Sequence, residues 1–365
     1  MMSKIEELIL KYCPNGVEYR KISEIAKVSI GEFVHKNNQN PNGLYPVYNG
    51  GTSNTGYYDE FNNTANKIII SARGANAGFV NKVLVDYWAG NSCYTIDVVS
   101  DELDWNFVYY FLKNSEKSLI GQQQTGSIPA VSKKQIETFK IPIPPLSVQQ
   151  EIVRILDSFT ELEAELEAEL EARKKQYEHY RDKLLNFADI SQGGVRTMAL
   201  CEVADFYYGK GNKIPDNGGD YPVYGCNGIV AYTDEYNNED GAIIGHIGSA
   251  GIVNWGQGKH FVTYNGTICN THKNIMLPKY AYYLLKSLHL ENYVKGAQPF
   301  LSASDFNNVK VLVPPLAEQE RIVAILDKFD ALVNDISDGL PAEINARRKQ
   351  YEYWRNKLLD FKEAV

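Results

Sequence analysis

No two of the five cysteines (Cys13, Cys93, Cys201, Cys226, Cys269) stand in a C-x-x-C spacing, and their number is odd. A disulfide frame is thereby excluded, and reduced thiols of a cytoplasmic protein are the expectation. No apolar run reaches the roughly 18–20 residues of a membrane-spanning helix. The opening Met1-Met2-Ser3-Lys4-Ile5-Glu6-Glu7 lacks the apolar core of a secretory leader, so no membrane role is expected. Chemistry-bearing motifs are missing too. There is no G-x-x-x-x-G-K-[ST] phosphate loop, and Gly209-Lys210-Gly211-Asn212-Lys213 is only a short basic loop. No G-x-G-x-x-G follows a strand-like run. The six histidines are scattered, and Cys269 with His272 has no further ligands, so no metal site is expected. Neither a nucleophile elbow nor a pair of acid–base carboxylates stands out. The Asn/Asp-Pro-Pro-aromatic signature of amino-methyltransferases is also absent, since "IPPL" and "VPPL" lack its polar residue. The expected protein is therefore not itself an enzyme.

Basic surplus is missing as well: the net charge is −8, which at first argues against nucleic acid. Its distribution changes that view, and net charge does not decide the question. Segments 141–195 and 314–365 carry −5 and −2, whereas 1–140 and 196–313 carry 0 and −1. The two large segments are near neutral and free to hold local basic patches.

The chain does hold a duplication. "IPIPPLSVQQEIVRILDSF" (141–159) returns as "VLVPPLAEQERIVAILDKF" (311–329), and "ARKKQYEHYRDKLLNF" (172–187) as "ARRKQYEYWRNKLLDF" (346–361). Upstream, "YPVYNG" (45–50) matches "YPVYGC" (221–226), and "AGFVN" (77–81) matches "AGIVN" (250–254). A whole module is repeated, each copy consisting of a variable region and a closely repeated one.

The close repeats read as long helices opened by Pro144-Pro145 and Pro314-Pro315, with Ser147 and Gln150 fitting a capping box and Ala317 a weaker cap. Their apolar seam runs through Ile152, Ile155, Phe159, Leu162, Leu166, Leu170, Arg173, Tyr177, Tyr180, Leu184 and Phe187 in the first copy, with Leu156 a further helix-pair or partner position. In the second it runs through Ile322, Ile325, Phe329, Leu332, Ile336, Leu340, Ile344, Arg347, Tyr351, Trp354, Leu358 and Phe361, with Leu326 the counterpart of Leu156. Steps of three and four alternate, except where two fours meet at 162, 166 and 170; the second copy has one four more, from 340 to 344. "ELEAELEAELEAR" (161–173) writes those fours out. A tetrapeptide lengthens a helix by about 6 Å while turning the seam by only about 40°, so the run reads as an adjustable spacer. Some 41 residues make a first helix of up to ~60 Å, with the glutamates on a solvated or partner-facing side. Gly339 and Pro341 predict a kink or break in the second.

Both variable regions read as mixed α and β. Strands are predicted at 66–74, 77–85 and 91–99, with a helix at 106–114. Their counterparts are strands at 241–248, 251–256 and 260–269, with a helix at 278–290. Loops rich in Asn, Gln, Ser, Thr and Gly recur at 49–56, 73–76 and 121–128, then at 225–233, 245–250 and 295–304.

Taken as a set, the paired "PPLSVQQEIVRILD" and "PPLAEQERIVAILD" stretches, the paired "RKKQYEHYRDKLL" and "RRKQYEYWRNKLL" stretches and the tetrapeptide run resemble the specificity subunits of type I restriction-modification systems, over nearly the whole chain. The resemblance implies an α+β fold: two mixed α/β target-recognition domains, at 1–143 and 195–313, separated by two long antiparallel coiled-coil helices. These helical spacers fall at 144–190 and 314–365, and the tandem duplication implies a pseudo-two-fold arrangement. Each domain would read one half of a split, asymmetric double-stranded DNA target. The spacer would fix the gap and dock two methyltransferase subunits. S-adenosylmethionine, ATP and Mg would sit on the methyltransferase and restriction/translocase partners, and none on this chain.

Base reading takes Arg or Lys for guanine and Asn or Gln for adenine. The candidates are Asn49, Ser53, Asn54, Arg73, Asn76, Gln122, Gln123, Gln124, Thr125 and Ser127 in the first domain. In the second they are Lys210, Asn212, Lys213, Asn227, His246, Ser249 and Gln298. Each is otherwise an ordinary polar loop residue. Arg73, at a strand end before Gly74, is the foremost, and His246 lies near the matching place. Tyr45, Tyr48, Tyr57, Tyr58, Tyr221, Tyr224 and Tyr232 read first as half-buried sheet aromatics, with packing on DNA sugars the other possibility. Two further readings stay open: a non-enzymatic coiled-coil adaptor with two ligand-binding domains, and a silent or recombining allele of the same family.

Overall fold

Helix and strand alternate through both copies in the computed structural model, which describes residues 4–120, 129–187, 194–211, 218–335 and 338–364. The chain divides into two compact units. One combines Met1–Glu165 with Ile344–Val365, and the other is Leu166–Glu343.

In the first unit the strands are β1 (Tyr19–Lys21), β2 (Ala26–Ile30), β3 (Tyr45–Tyr48), β4 (Gly56–Tyr58), β5 (Lys67–Ser71), β6 (Val80–Val83), β7 (Trp88–Ala89), β8 (Cys93–Val98) and β9 (Lys140–Pro142). An antiparallel sheet runs β2-β8-β5-β6, a smaller one runs β4-β3-β7 with β3 and β7 parallel, and β1 pairs with β9. The run Lys67–Ser71 shows why both faces are covered. Ile68 and Ile70 join Phe107 and Val108 of the helix Trp105–Asn114, while Ile69 faces Val83, Tyr87 and Ala89. A strand buried on both sides reads as a continuous apolar run rather than an alternation.

The second unit repeats the plan with β10 (Arg196–Ala199), β11 (Ala204–Tyr208), β12 (Tyr221–Gly225), β13 (Gly228–Thr233), β14 (Asn238–Gly245), β15 (Val253–Val262), β16 (Gly266–Thr271) and β17 (Lys310–Val313). Here the six strands β11 to β16 form one sheet, because β15 is long enough to do the work of both β6 and β7. It pairs antiparallel with β14 and, near its end, parallel with β12. The strand expected at 251–256 is thus the first part of β15, and that expected at 260–269 runs from the end of β15 through a turn into β16. Ala242 and Ile244 face the helix Pro278–Ser287, and Ile243 faces Tyr224 and Val262.

Three polar devices recur in both units. The Asn62 side chain accepts from Ala89 N at 2.7 Å and donates to Ala89 O at 3.0 Å. Asn237 does the same to Val262, at 2.7 and 2.9 Å. At the helix starts, Gln149 Nε2 donates to the carbonyls of Pro144 and Glu102 while its Oε1 accepts from Asp104 N; Gln319 makes the same three bonds to Pro314, Ile275 and Leu277. Both glutamines are wholly buried. Tyr110 donates to Asp157, and Tyr283 to Asp327. The residue tying down the first helix is therefore Gln149. The expected capping box is not formed, and Ser147 has no side-chain hydrogen bond among the described residues.

The first close repeat is one helix, Leu146–Asn186; the second is two, Leu316–Asn334 and Leu340–Leu358. The break falls at Gly339. A Cβ there would lie 2.5 Å from Ala331 O and 2.7 Å from Asp335 O, closer than any side chain tolerates. Helix packing inside each unit is antiparallel. In the first, Arg348 Nε lies 2.6 Å from Glu163 Oε1, and the rings of Tyr351 and Phe159 are 6.2 Å apart. In the second, Tyr180 stacks on Phe329 at 5.8 Å.

Ile152, Leu156, Ile322 and Leu326 are fully buried, Leu166 and Tyr177 nearly so, and Phe159, Leu162, Leu170, Phe329, Tyr351 and Trp354 half-buried. Ile336 lies outside the described residues. The seam also drifts further than the spacing predicts. Beyond Tyr177 it passes to Arg181 and Leu185, and Val333 is buried where Leu332 is 38% exposed. A helix of 3.6 residues per turn drifts against a 3.5-residue repeat, so more four-residue steps are needed. The chain passes between units at Glu165/Leu166 and Glu343/Ile344, in each helix within its stretch of four-residue steps.

Candidate nucleic-acid interface

In the first unit several loops meet at one end of the sheets. Ser71 Oγ donates to Gly51 O at 3.1 Å, Asn49 Oδ1 accepts from Ser92 N at 3.1 Å, and Gly74 N donates to Pro129 O at 2.9 Å. These bonds gather Asn49, Arg73 and the Gly50–Thr55 turn beside Asn91. Arg73 is exposed, and its guanidinium touches only Asn91 O, at 3.3 Å. No carboxylate pairs with it among the described residues, so its charge is available to a ligand. Among the described residues Ser53, Asn54 and Asn76 have no side-chain hydrogen bond, whereas Asn49 spends its carbonyl oxygen on the backbone. Gln122, Gln123, Gln124, Thr125 and Ser127 lie outside the described residues.

The same end of the second unit is built on the same backbone bonds. Arg73 pairs with Ala130 as Ile247 does with Phe300. Ala72 N donates to Ser92 O, and His246 N to Asn265 O; Val131 N donates to Ala72 O, and Leu301 N to His246 O. Glu32 N reaches Ala89 O, and Lys210 N reaches Val262 O. The frame thus equates Ile30 with Tyr208, Glu32 with Lys210, Ala72 with His246, Arg73 with Ile247, Asn91 with Tyr264 and Ala130 with Phe300. The counterpart of Arg73 is Ile247 rather than His246, which stands one residue earlier.

His246 is 1% exposed, and its Nδ1 donates to Leu301 O at 2.6 Å. A buried ring reaches no base unless the rings above it move. Those rings are Tyr208 at 4.3 Å, Phe300 at 4.6 Å and Tyr264 at 5.6 Å between centroids. Lys210, Asn227 and Gln298 are exposed and Ser249 half-buried; Asn212 and Lys213 lie outside the described residues. Gln298 sits at the tip of a hairpin closed by two backbone bonds between Lys295 and Phe300 and tied by Lys295 to Asp305 at 2.5 Å. The exposed Gln298, Lys210 and Asn227 offer an amide, an ammonium and a second amide.

Tyr45, Tyr48 and Tyr58 are half-buried in ring pairs with Phe61, Tyr87 and Trp88. Tyr221 pairs with Tyr236, and Tyr224 is buried against His260; Tyr57 and Tyr232 are exposed. Among the described residues no three of His, Cys, Asp and Glu are placed to hold a metal ion, and no helix is long and apolar enough to cross a membrane. Sequence reasoning missed Tyr208, Tyr264 and Phe300, which carry no motif. It also missed Asn62 and Asn237, which the repeat "DEFNN" (59–63) and "DEYNN" (234–238) would have revealed.

Two like scaffolds with unlike loop ends define a duplicated protein whose copies differ at one end. The model of the type I restriction modification DNA specificity domain matches residues 14–172 and again 193–346, and the chain belongs to that family. It is 30% identical to a putative type I restriction enzyme specificity subunit of Haemophilus influenzae, covering 94% of this chain and 96% of that one. It is 34% identical to the specificity subunit of the Escherichia coli type I restriction enzyme EcoR124I/EcoR124II, over 70% of each. The crystal structure of a type I restriction-modification S subunit from M. genitalium shares the fold, with a TM-score of 0.68 at 23% identity over 95% of this chain and 97% of that one.

Proposed function

We propose that this chain is the DNA-reading, non-catalytic subunit of a type I restriction-modification complex, and that each recognition domain, 1–143 and 195–313, reads one half of a split, asymmetric duplex target. The observation that carries this is the contrast between frame and loops. Asn62 and Asn237, Gln149 and Gln319, and the two Tyr–Asp pairs are kept as equivalents, while the loop positions exchange Arg73 for Ile247 and Asn91 for Tyr264. A fold needs its frame, and a reader needs its loop ends to differ. Exposed Arg73 suits guanine O6 and N7, and Gln298 suits adenine.

The helical segments 144–190 and 314–365 set the gap between half-sites and dock two methyltransferase subunits. One tetrapeptide, about 6 Å of helix, corresponds to between one and two base-pair rises of about 3.4 Å. Methyl transfer to adenine N6 and ATP-driven cleavage belong to the partners, which would bring S-adenosylmethionine, ATP and Mg. The test uses the chain assembled with adenine methyltransferase subunits from the same host. A duplex with both half-sites at the right gap is methylated; one with either half scrambled, or with the gap changed, is not. Equal methylation of all these duplexes would refute the reading.

A further inference from the structure

Resting on that reading, we propose that Tyr208, Tyr264 and Phe300 form an apolar platform that meets the C5-methyl group of a thymine in the second domain's half-site, with His246 positioning it. The three rings are 43%, 40% and 40% exposed, an unusual concentration of aromatic surface at one loop end. They are not there to close the fold. The first unit closes the same backbone frame with Ile30, Asn91 and Ala130 at these positions and Ala72 in place of His246.

His246 gives the cluster its geometry. Its Nδ1 faces a carbonyl oxygen and so must carry the proton. That bond ties the end of β14 to Leu301, directly after the Lys295–Phe300 hairpin, while the ring lies against all three aromatics. Nε2 is buried and has no hydrogen-bond partner among the described residues. An unpaired buried nitrogen costs stability that an apolar residue would spare, so a packing role alone does not account for histidine here. The surroundings point to a base pair. Tyr264 N bonds Gly211 O beside Lys210, and Gly248 N bonds Pro299 O beside Gln298, so groups suited to phosphate and to base edges rim the apolar centre. In the major groove the thymine methyl is the apolar group that such a centre fits.

The experiment uses the chain in complex with its methyltransferase subunits and a duplex carrying both mapped half-sites, with each thymine replaced in turn by deoxyuridine. Losing one methyl contact should weaken binding about fourfold at one thymine of the second half-site. Phe300→Ala and Tyr264→Ala should remove that sensitivity and leave the uracil response of the first half-site unchanged, which also shows that the variants fold. His246→Ala should remove it as well, and His246→Asn, which keeps a donor for the Leu301 carbonyl, should restore it. A second half-site without thymine, tolerance of uracil throughout it, or undiminished sensitivity in the variants would overturn the platform while leaving the split reading intact. Binding indifferent to both half-sites would refute the split reading and the platform together.

Discussion

Arg73 and Ile247 hold one backbone position in two copies of one scaffold, each bridging the residue that follows a loop-end proline, Ala130 after Pro129 and Phe300 after Pro299. One carries a full charge and the other none. Arg73→Ala should therefore weaken recognition of one half-site only, by roughly ten- to a hundredfold if the guanidinium reads a guanine. Binding to duplexes mutated in either half checks this; an equal loss for every base substitution would mark Arg73 as a phosphate contact instead.

Gln149 and Gln319 each satisfy three backbone groups from a fully buried position. Gln149→Leu should leave the Asp104 amide and the Pro144 and Glu102 carbonyls unpaired, costing on the order of 2–4 kcal/mol. Gln319→Leu should cost the second unit as much. Urea denaturation followed by a probe in each unit measures both, and a loss under about 0.5 kcal/mol would contradict the account.

Much of this was legible beforehand. The duplication, the two helical segments, the break near Gly339 and the helices expected at 106–114 and 278–290 follow from repeats, periodicity and the Gly and Pro positions, which are local signals, whereas the antiparallel packing was implied only by the family resemblance. The three-residue strand β1 was not legible, because its partner β9 lies far along the chain, with Tyr19 opposite Pro142. The glutamine tie at the helix start was hidden for the same reason: its partners Glu102 and Ile275 lie over forty residues away. Arg73 could be singled out because an arginine at a strand end before a glycine is a local feature, and the structure leaves it exposed. The Tyr208–Tyr264–Phe300 cluster was not, since its members are brought together only by the sheet and the hairpin.

Acid should reveal two carboxylates. Arg154 and Lys4 hold Glu151 down to about 2, against burial that opposes them, and Lys295 with Ser302 holds Asp305 at about 2. Folded values below the unfolded ones mean a contribution fully present above about pH 4.5 and lost as pH falls toward 2. Glu151→Gln and Asp305→Asn should each flatten the fall in Tm over that interval. Because Lys4 and Arg154 are largely exposed, the neutral-pH cost of Glu151→Gln should be only about 1 kcal/mol. An unchanged acid slope in both variants would contradict these assignments.

Deleting Glu165-Leu166-Glu167-Ala168 removes about one turn where the chain passes from one unit to the other. The gap between half-sites should shorten by one or two base pairs while both half-sites stay the same. Altered half-sites at a constant gap would show that the tetrapeptide is not a spacer.

The most direct test of the central claim is a long-read map of N6-methyladenine in the native host, with and without this gene. The account predicts that deletion erases one split, asymmetric motif and leaves all others untouched. Its return on complementation should be blocked, or shifted to a new motif, by exchanging residues 45–140 for those of another allele. A map unchanged by deletion of the expressed gene would contradict the account.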